Sequence, residues 1–262
     1  MTKEEWWSKY DRRELCKKYP DKIKEWWDPE KFDWEDLWVL AKFCSKYFKI
    51  WWDVNKCNWK NSSWVLAENC SDYFDVWWDA DKFNWEDSWV LAQFCFKDFN
   101  IWWDAEKYNW LNGSWFLTEY CSNYFDIWWD AKKFNWENSC VLAQYCSEYF
   151  NIWWDSEKYN WKDGTEHLTE YCSEYFNIWW DAKKFNWNSS WLLAQYYFKY
   201  FNIWWDADKF NWRDGKDNLN KYCSSKFTNL QLKQLLLHSN KKARKFAIKE
   251  LNRRENDKED LV

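Results

Sequence analysis

The chain has 262 residues and a formal charge of −5 at pH 7 with both signs mixed along it, so bulk charge gives no support to nucleic acid as the partner. A quarter of the residues are aromatic and 31 are Trp, against three Gly and two Pro. Rings that each bring about 150–250 Å² of apolar surface exclude a disordered chain. No run of apolar residues is long enough for a membrane span, and Met1 to Trp7 carries no signal-peptide core, so a cytoplasmic protein with no membrane partner is expected.

In chain order, residues 1–25 are a degenerate N-terminal capping segment that keeps only Trp6-Trp7 and Leu15-Cys16 of the pattern that follows. Residues 26–227 are eight tandem repeats, each opened by Trp-Trp-Asp, at Trp26, Trp51, Trp77, Trp102, Trp128, Trp153, Trp179 and Trp204. The spacing alternates between 25 and 26 residues, which makes the true period 51. The longer units carry an extra residue, expected in a turn, at Asn61-Ser62, Asn112-Gly113, Asp163-Gly164 and Asp214-Gly215. Duplication history and non-equivalent packing both account for this alternation, and the sequence does not separate them.

Within a unit the spacing predicts an amphipathic helix. Over Trp89 to Trp103, Leu91, Ala92, Cys95, Phe99 and Trp102 fall on one side at 100° per residue, while Gln93, Lys97, Asn100 and Asp104 fall on the other. Glu86-Asp87-Ser88, Glu137-Asn138-Ser139 and Asn188-Ser189-Ser190 supply N-cap chemistry before it, and the Asp after each Trp pair is placed to cap a second, shorter helical turn. Segments such as Tyr73 to Trp78 favour strands by composition, but three Gly cannot supply the turns that a stack of hairpins needs. The expected fold is therefore all-α: an elongated α-solenoid of eight tandem 25/26-residue Trp-rich repeats with helical caps.

Beyond Phe227 the repeat ends. Residues 228–255 read as a C-terminal helical cap with a Leu-rich stretch, Leu230 to Leu237, followed by Ala243 to Leu251. That second stretch, with Arg244 and Ala247 at helical offsets, resembles half of a HEAT repeat, a likeness that implies a helical cap. Residues 256–262 are expected to be a disordered tail.

Most columns filled in every copy read as core, the Leu40 to Leu219 and Phe48 to Phe227 columns first, with a small Ala/Thr column that lets helices approach. Cysteines recur almost once per unit. Equivalent positions about 10 Å apart lie beyond the roughly 7 Å that a disulfide spans, so free thiols are expected. Two columns are candidates for ligand binding. Trp38, Trp64, Trp89, Trp115 and Trp191 share theirs with Cys140, Glu166 and Asp217, which places it at the edge of the apolar face, where a ring either stacks on a ligand or covers the seam between units. Lys31, Lys56, Lys82, Lys107, Lys133, Lys158, Lys184 and Lys209 run beside the Trp34 to Trp212 column. A line of cations next to rings suits a single-stranded nucleic acid, but each Lys can also pair with the Asp three residues before it or lie over a ring. No catalytic constellation, metal spacing or phosphate loop occurs, so no enzyme and no cofactor is expected. The expected role is a scaffold for a protein partner. The alternatives are binding of a linear polymer, nucleic acid or glycan, along the Lys and Trp columns, or a purely structural role.

Overall fold

A computed structural model describes residues 1–259, and all regular structure among them is helical. The chain forms two compact units, residues 1–135 and 136–262. The first begins with helix Lys3–Lys9, closed by a capping box between Thr2 and Glu5, and helix Arg12–Lys18, capped by Asp11. The second ends in helices Asn229–Leu236 and Lys241–Glu259, which pack on one another. The last helix thus runs into the segment expected to be a disordered tail, of which 260–262 lie outside the described residues.

The stretch from Phe74 to Trp102 illustrates one repeat. Helix Phe74–Trp77 stops because Trp78 is extended (φ −62°, ψ 127°). Asp79 then organises a hydrogen-bonded turn: its Oδ1 accepts from the backbone N–H groups of Asp81 and Lys82, and its carbonyl accepts from those of Lys82 and Phe83. Its capping role is as expected, but on a turn rather than a helix. Asn84, not the Glu86–Ser88 cluster, caps the next segment, with its side chain accepting from Glu86 N–H. A 3₁₀ turn, Trp85–Asp87, leads into helix Trp89–Phe94.

The continuous helix expected from Trp89 to Trp103 is broken at Cys95 (φ −115°, ψ 26°), after which come 3₁₀ turn Phe96–Asp98 and helix Phe99–Trp102. The break is held by the first Trp of the pair. Trp102 Nε1 donates to the Cys95 carbonyl at 2.8 Å, and the same bond seven residues long joins Trp51 to Cys44, Trp77 to Cys70, Trp128 to Cys121, Trp153 to Cys146 and Trp179 to Cys172. A fully buried indole must spend its N–H inside the protein. Here it joins the Asp98 backbone N–H (3.0 Å) as a second donor on the carbonyl at the break, so the burial and the break support each other.

The alternation of 25 and 26 residues has a physical form. In the shorter units the segment after the third Trp starts as 3₁₀, at Trp34–Asp36, Trp85–Asp87, Trp136–Asn138 and Trp187–Ser189. In three of the longer ones it is α-helical throughout, at Trp59–Asn69, Trp110–Tyr120 and Trp161–Tyr171, whereas in the last, beside the C-terminal cap, a turn leads into helix Lys216–Asn218 and a π-helix, Leu219–Cys223. Three 3₁₀ residues at about 2.0 Å rise cover the same ~6 Å as four α residues at about 1.5 Å, so one residue is lost without changing the length of the repeat. The extra Gly113 and Gly164 therefore stand inside helices rather than in turns. Each lies against the ring of Tyr108 or Tyr159, whose hydroxyl donates to the glycine carbonyl (3.0 and 2.8 Å). No described residue has positive φ, so glycine is required here for close approach alone.

Successive repeats within each unit are joined by three recurring contacts. The Leu and Phe columns and the first Trp of each pair are at most 3% exposed and form the core. At its edge, a buried Ser or Thr hydroxyl accepts the backbone N–H of the capping Asn one repeat later: Ser63 from Asn84, Ser88 from Asn109, Ser139 from Asn160, Ser190 from Asn211, at 2.8–2.9 Å. The amide of that Asn also donates to a carbonyl of the earlier repeat, as Asn109 does to Glu86 and Asn211 to Asn188. A Tyr ring stacks on the Phe of the repeat before it, Tyr124 on Phe99 and Tyr175 on Phe150, both at 4.4 Å and 9°.

The third contact is the thiol column. Cys70, Cys95 and Cys121 point Sγ at the carbonyls of Ala41, Ala67 and Ala92, and where Tyr197 replaces Cys its hydroxyl reaches the corresponding carbonyl, that of Thr169, at 2.9 Å. All ten cysteines are buried and unpaired. Burial pushes Cys70, Cys121, Cys146, Cys172 and Cys223 up to about 12 from an ordinary value of 9.0. A thiol raised in the folded state stays protonated there after it has ionised in the unfolded chain. Its stabilisation is complete below the unfolded value and is lost as pH rises, at about 1.4 kcal/mol per pH unit for each thiol. The urea midpoint is accordingly expected to fall steeply between pH 9 and 12, and a Cys70→Ala, Cys121→Ala pair to flatten that fall. A midpoint level across this window would show that the thiols are hydrated in the folded protein.

Candidate binding surfaces

Seven of the eight lysines of the column form ion pairs within the protein. Lys56, Lys107, Lys133 and Lys184 each reach back to the preceding Asp turn, where the ammonium meets a backbone carbonyl (of Pro29, Ala80, Ala105 and Ser156) and an acid (Glu30, Asp81, Glu106 and Glu157). Lys82, Lys158 and Lys209 instead fold back onto their own capping Asp79, Asp155 and Asp206 at 3.3–3.5 Å. The residue just before the preceding lysine accounts for the choice. It is acidic wherever the bridge forms, but Asn55 stands there for Lys82 and Lys183 for Lys209. In the C-terminal cap His238 takes the lysine's place and contacts Asp208 at 3.1 Å. Lys107, Lys158 and Lys209 also lie 5.3–5.6 Å from the ring centroids of Trp85, Trp136 and Trp187. Lys31 is exposed and has no ion-pair partner among the described residues. Exposed pairs of this kind contribute about 0.2–1 kcal/mol each, so the bridges register neighbouring turns more than they stabilise the fold.

The edge tryptophans divide. Trp38 is half-buried under the Arg13 guanidinium (5.7 Å), with its N–H on Asp36, and Trp89 packs 4.9 Å from Phe116 of the next repeat. Both cover seams. Trp191 is half-buried, and its carbonyl receives the amide of Asn218. Trp64 and Trp115 are the open ones, at 42% and 38% exposure, and Trp115 donates its N–H to Glu119 at 2.8 Å. Cys140 is buried in this column, while Glu166 is exposed and accepts from Ser189. The structure does not merge the two candidate columns: the rings that meet the lysines belong to the Trp85, Trp136, Trp187 column, whose N–H groups cap the Asp turn five residues back, as Trp85 does at Ala80.

A third column has no counterpart among the sequence candidates. In each four-residue Phe-x-Ile-Trp helix the Phe and Trp, three residues apart, face inward, which turns the two residues between them outward. Val76, Ile101, Ile127, Ile152, Ile178 and Ile203 are consequently 43–62% exposed, although they are among the most apolar residues of the repeat. The neighbours before them, Asp75, Asn100, Asp126, Asn151, Asn177 and Asn202, are exposed and polar. The available signal was recurrence itself: a β-branched residue precedes every Trp pair from Ile50 onward. The Ser and Asn columns of the seams were legible in the same way.

Among the described residues no helix is long and apolar enough to cross a membrane, and no group of three His, Cys, Asp or Glu side chains is placed to hold a metal ion. Comparison with family models, with curated proteins and with solved structures finds no match to this chain.

Proposed function

We propose that this chain is a non-enzymatic scaffold, an elongated α-solenoid of eight repeats whose Val/Ile ridge receives a protein partner. The observation that carries the reading is the exposure of the same aliphatic position in repeat after repeat (Ile101 62%, Ile127 57%, Ile152 58%, Ile178 58%). Single exposed aliphatics are ordinary, but a recurring series flanked by polar residues is the composition of an interaction surface. The polymer reading along the Lys and Trp columns is weaker, because a polyanion would have to displace the bridges from Lys56, Lys133 and Lys184 to carboxylates and carbonyls. A cytoplasmic setting belongs to the proposal and is supported by ten unpaired thiols.

The test is selection of peptides from a random display library on the wild-type chain. The recovered binders are then measured against Ile101→Asp with Ile127→Asp, and against Ile152→Asp with Ile178→Asp. Exposed positions tolerate Asp, so both variants are expected to keep the wild-type melting curve while affinity falls at least tenfold. If no peptide is enriched, or if binders ignore both pairs, the ridge is not a docking surface and the purely structural role stands. Small-angle scattering of the wild type tests the solenoid separately: an elongated particle is expected, and a compact one would remove it.

A further inference from the structure

The stretch from the last repeat turn to Arg254 differs in charge from the rest, ahead of a net acidic end with Glu255, Asp257, Glu259 and Asp260 against Lys258. Residues 213–254 hold twelve Lys or Arg against three Asp or Glu, in a chain whose total is −5. One of those acids, Glu250, is 2% exposed and is already bound by Arg253 and Arg254 at 2.8 and 2.9 Å. Two adjoining cavities, of about 530 and 170 Å³, lie between the turn of the last repeat and helix Lys241–Glu259 and share Lys245. Together they are lined by Arg213, Lys216, Lys241, Lys242, Lys245 and Lys249, with Asp217 as the one acid. Lys242 Nζ donates to the Arg213 carbonyl at 3.2 Å, which fixes the start of the helix against the repeat turn.

Unlike the bridged lysines of the repeats, Lys241, Lys245 and Lys249 have no ion-pair partner among the described residues. They stand four residues apart on one face of the helix, so consecutive ones are about 6 Å apart along its axis. That interval is on the order of the step between successive phosphates of a nucleic-acid strand. No exposed ring lines the groove, since its Phe246 is 3% exposed. Stacking on bases is therefore not provided for, and the chemistry on offer is a row of hydrated cations along a shallow, open groove. We infer that this groove binds the phosphodiester backbone of a single nucleic-acid strand, without regard to base sequence. Binding there releases condensed counterions and leaves the repeat surface free for another partner.

The experiment is fluorescence anisotropy of labelled single-stranded oligonucleotides of mixed sequence with the full chain, from about 50 mM salt upward. Three proteins are compared: the wild type, the groove variant Lys241→Gln, Lys245→Gln, Lys249→Gln, and a control of equal charge change on the repeats, Lys97→Gln, Lys162→Gln, Lys199→Gln. Near-UV circular dichroism establishes that all three are folded. The wild type is expected to bind with log affinity falling linearly in log salt. The groove variant should lose at least tenfold and flatten that slope by about 2, since each phosphate neutralised on a single strand contributes about 0.7. The control should stay within twofold of wild type. Equal loss in the control would reduce the effect to bulk charge and overturn the proposal, as would the absence of binding at the lowest salt. Leu237, 89% exposed just before Lys241, sets the remaining arm. Sedimentation with phosphatidylserine vesicles but no oligonucleotide binding, abolished by Leu237→Ser, would assign the patch to a membrane surface and likewise overturn it.

Discussion

Trp102→Ala is expected to cost about 3–5 kcal/mol of stability, the range for emptying a fully buried large ring, and Trp103→Ala in the same pair markedly less. The two adjacent indoles have different surroundings. Trp102 is 1% exposed and holds the Cys95 carbonyl, whereas Trp103 is half-buried in extended backbone, stacked on Phe99 at 5.2 Å and edge-on to Trp110. Trp102→Phe separates burial from hydrogen bonding. The ring is largely kept, yet one of the two donors on the carbonyl at the helix break is gone, so a further loss of about 1 kcal/mol beyond the volume change is expected. Urea denaturation followed by the red shift of tryptophan fluorescence and by near-UV dichroism measures all three variants. Equal losses for Trp102→Ala and Trp103→Ala would mean that the indole-to-carbonyl bond does not organise the repeat.

Gly113→Ala is expected to destabilise by about 3 kcal/mol, unusually much for adding one methyl group inside a helix, where alanine is normally the better residue. The new Cβ would fall on the ring and hydroxyl of Tyr108, which is 3% exposed and donates to the Gly113 carbonyl, so overpacking and a broken buried hydrogen bond act together. The chain contains its own remedy. In the first longer unit Cys57 and Ser62 occupy the two positions, both buried, with no large ring to oppose the side chain. Gly113→Ser combined with Tyr108→Cys should therefore recover most of what Gly113→Ser alone loses, a coupling above 1 kcal/mol in a double-mutant cycle. Additive losses would show that glycine serves something other than the approach of the ring.

Much of the architecture was legible in residues alone. Eight copies make the period visible, and Leu91, Phe99 and Trp102, which repeat at helical offsets and are apolar in every copy, read as core and are buried. The Asp after each Trp pair was recognisable as a cap because its side chain acts within three residues of itself. Where the partner is local in sequence, spacing states the contact.

Tertiary structure decided the rest. Whether Lys82 bridges to a neighbouring turn or folds back depends on Asn55, 27 positions away, and Ser88 reads as a helix cap until Asn109 of the next repeat is seen donating to it. The break at Cys95 is invisible to periodicity, since both helical pieces keep their apolar faces on the same side, and only the assembled repeat brings the indole of Trp102 and the Asp98 N–H together on the Cys95 carbonyl. Hydrophobicity places Ile101 in the core, yet Phe99 and Trp102 take the inward directions of a four-residue helix and leave Ile101 only the outward one. Sequence records what each side chain prefers, but neighbours compete for a limited number of buried directions, and only the assembled repeat determines which of them are filled.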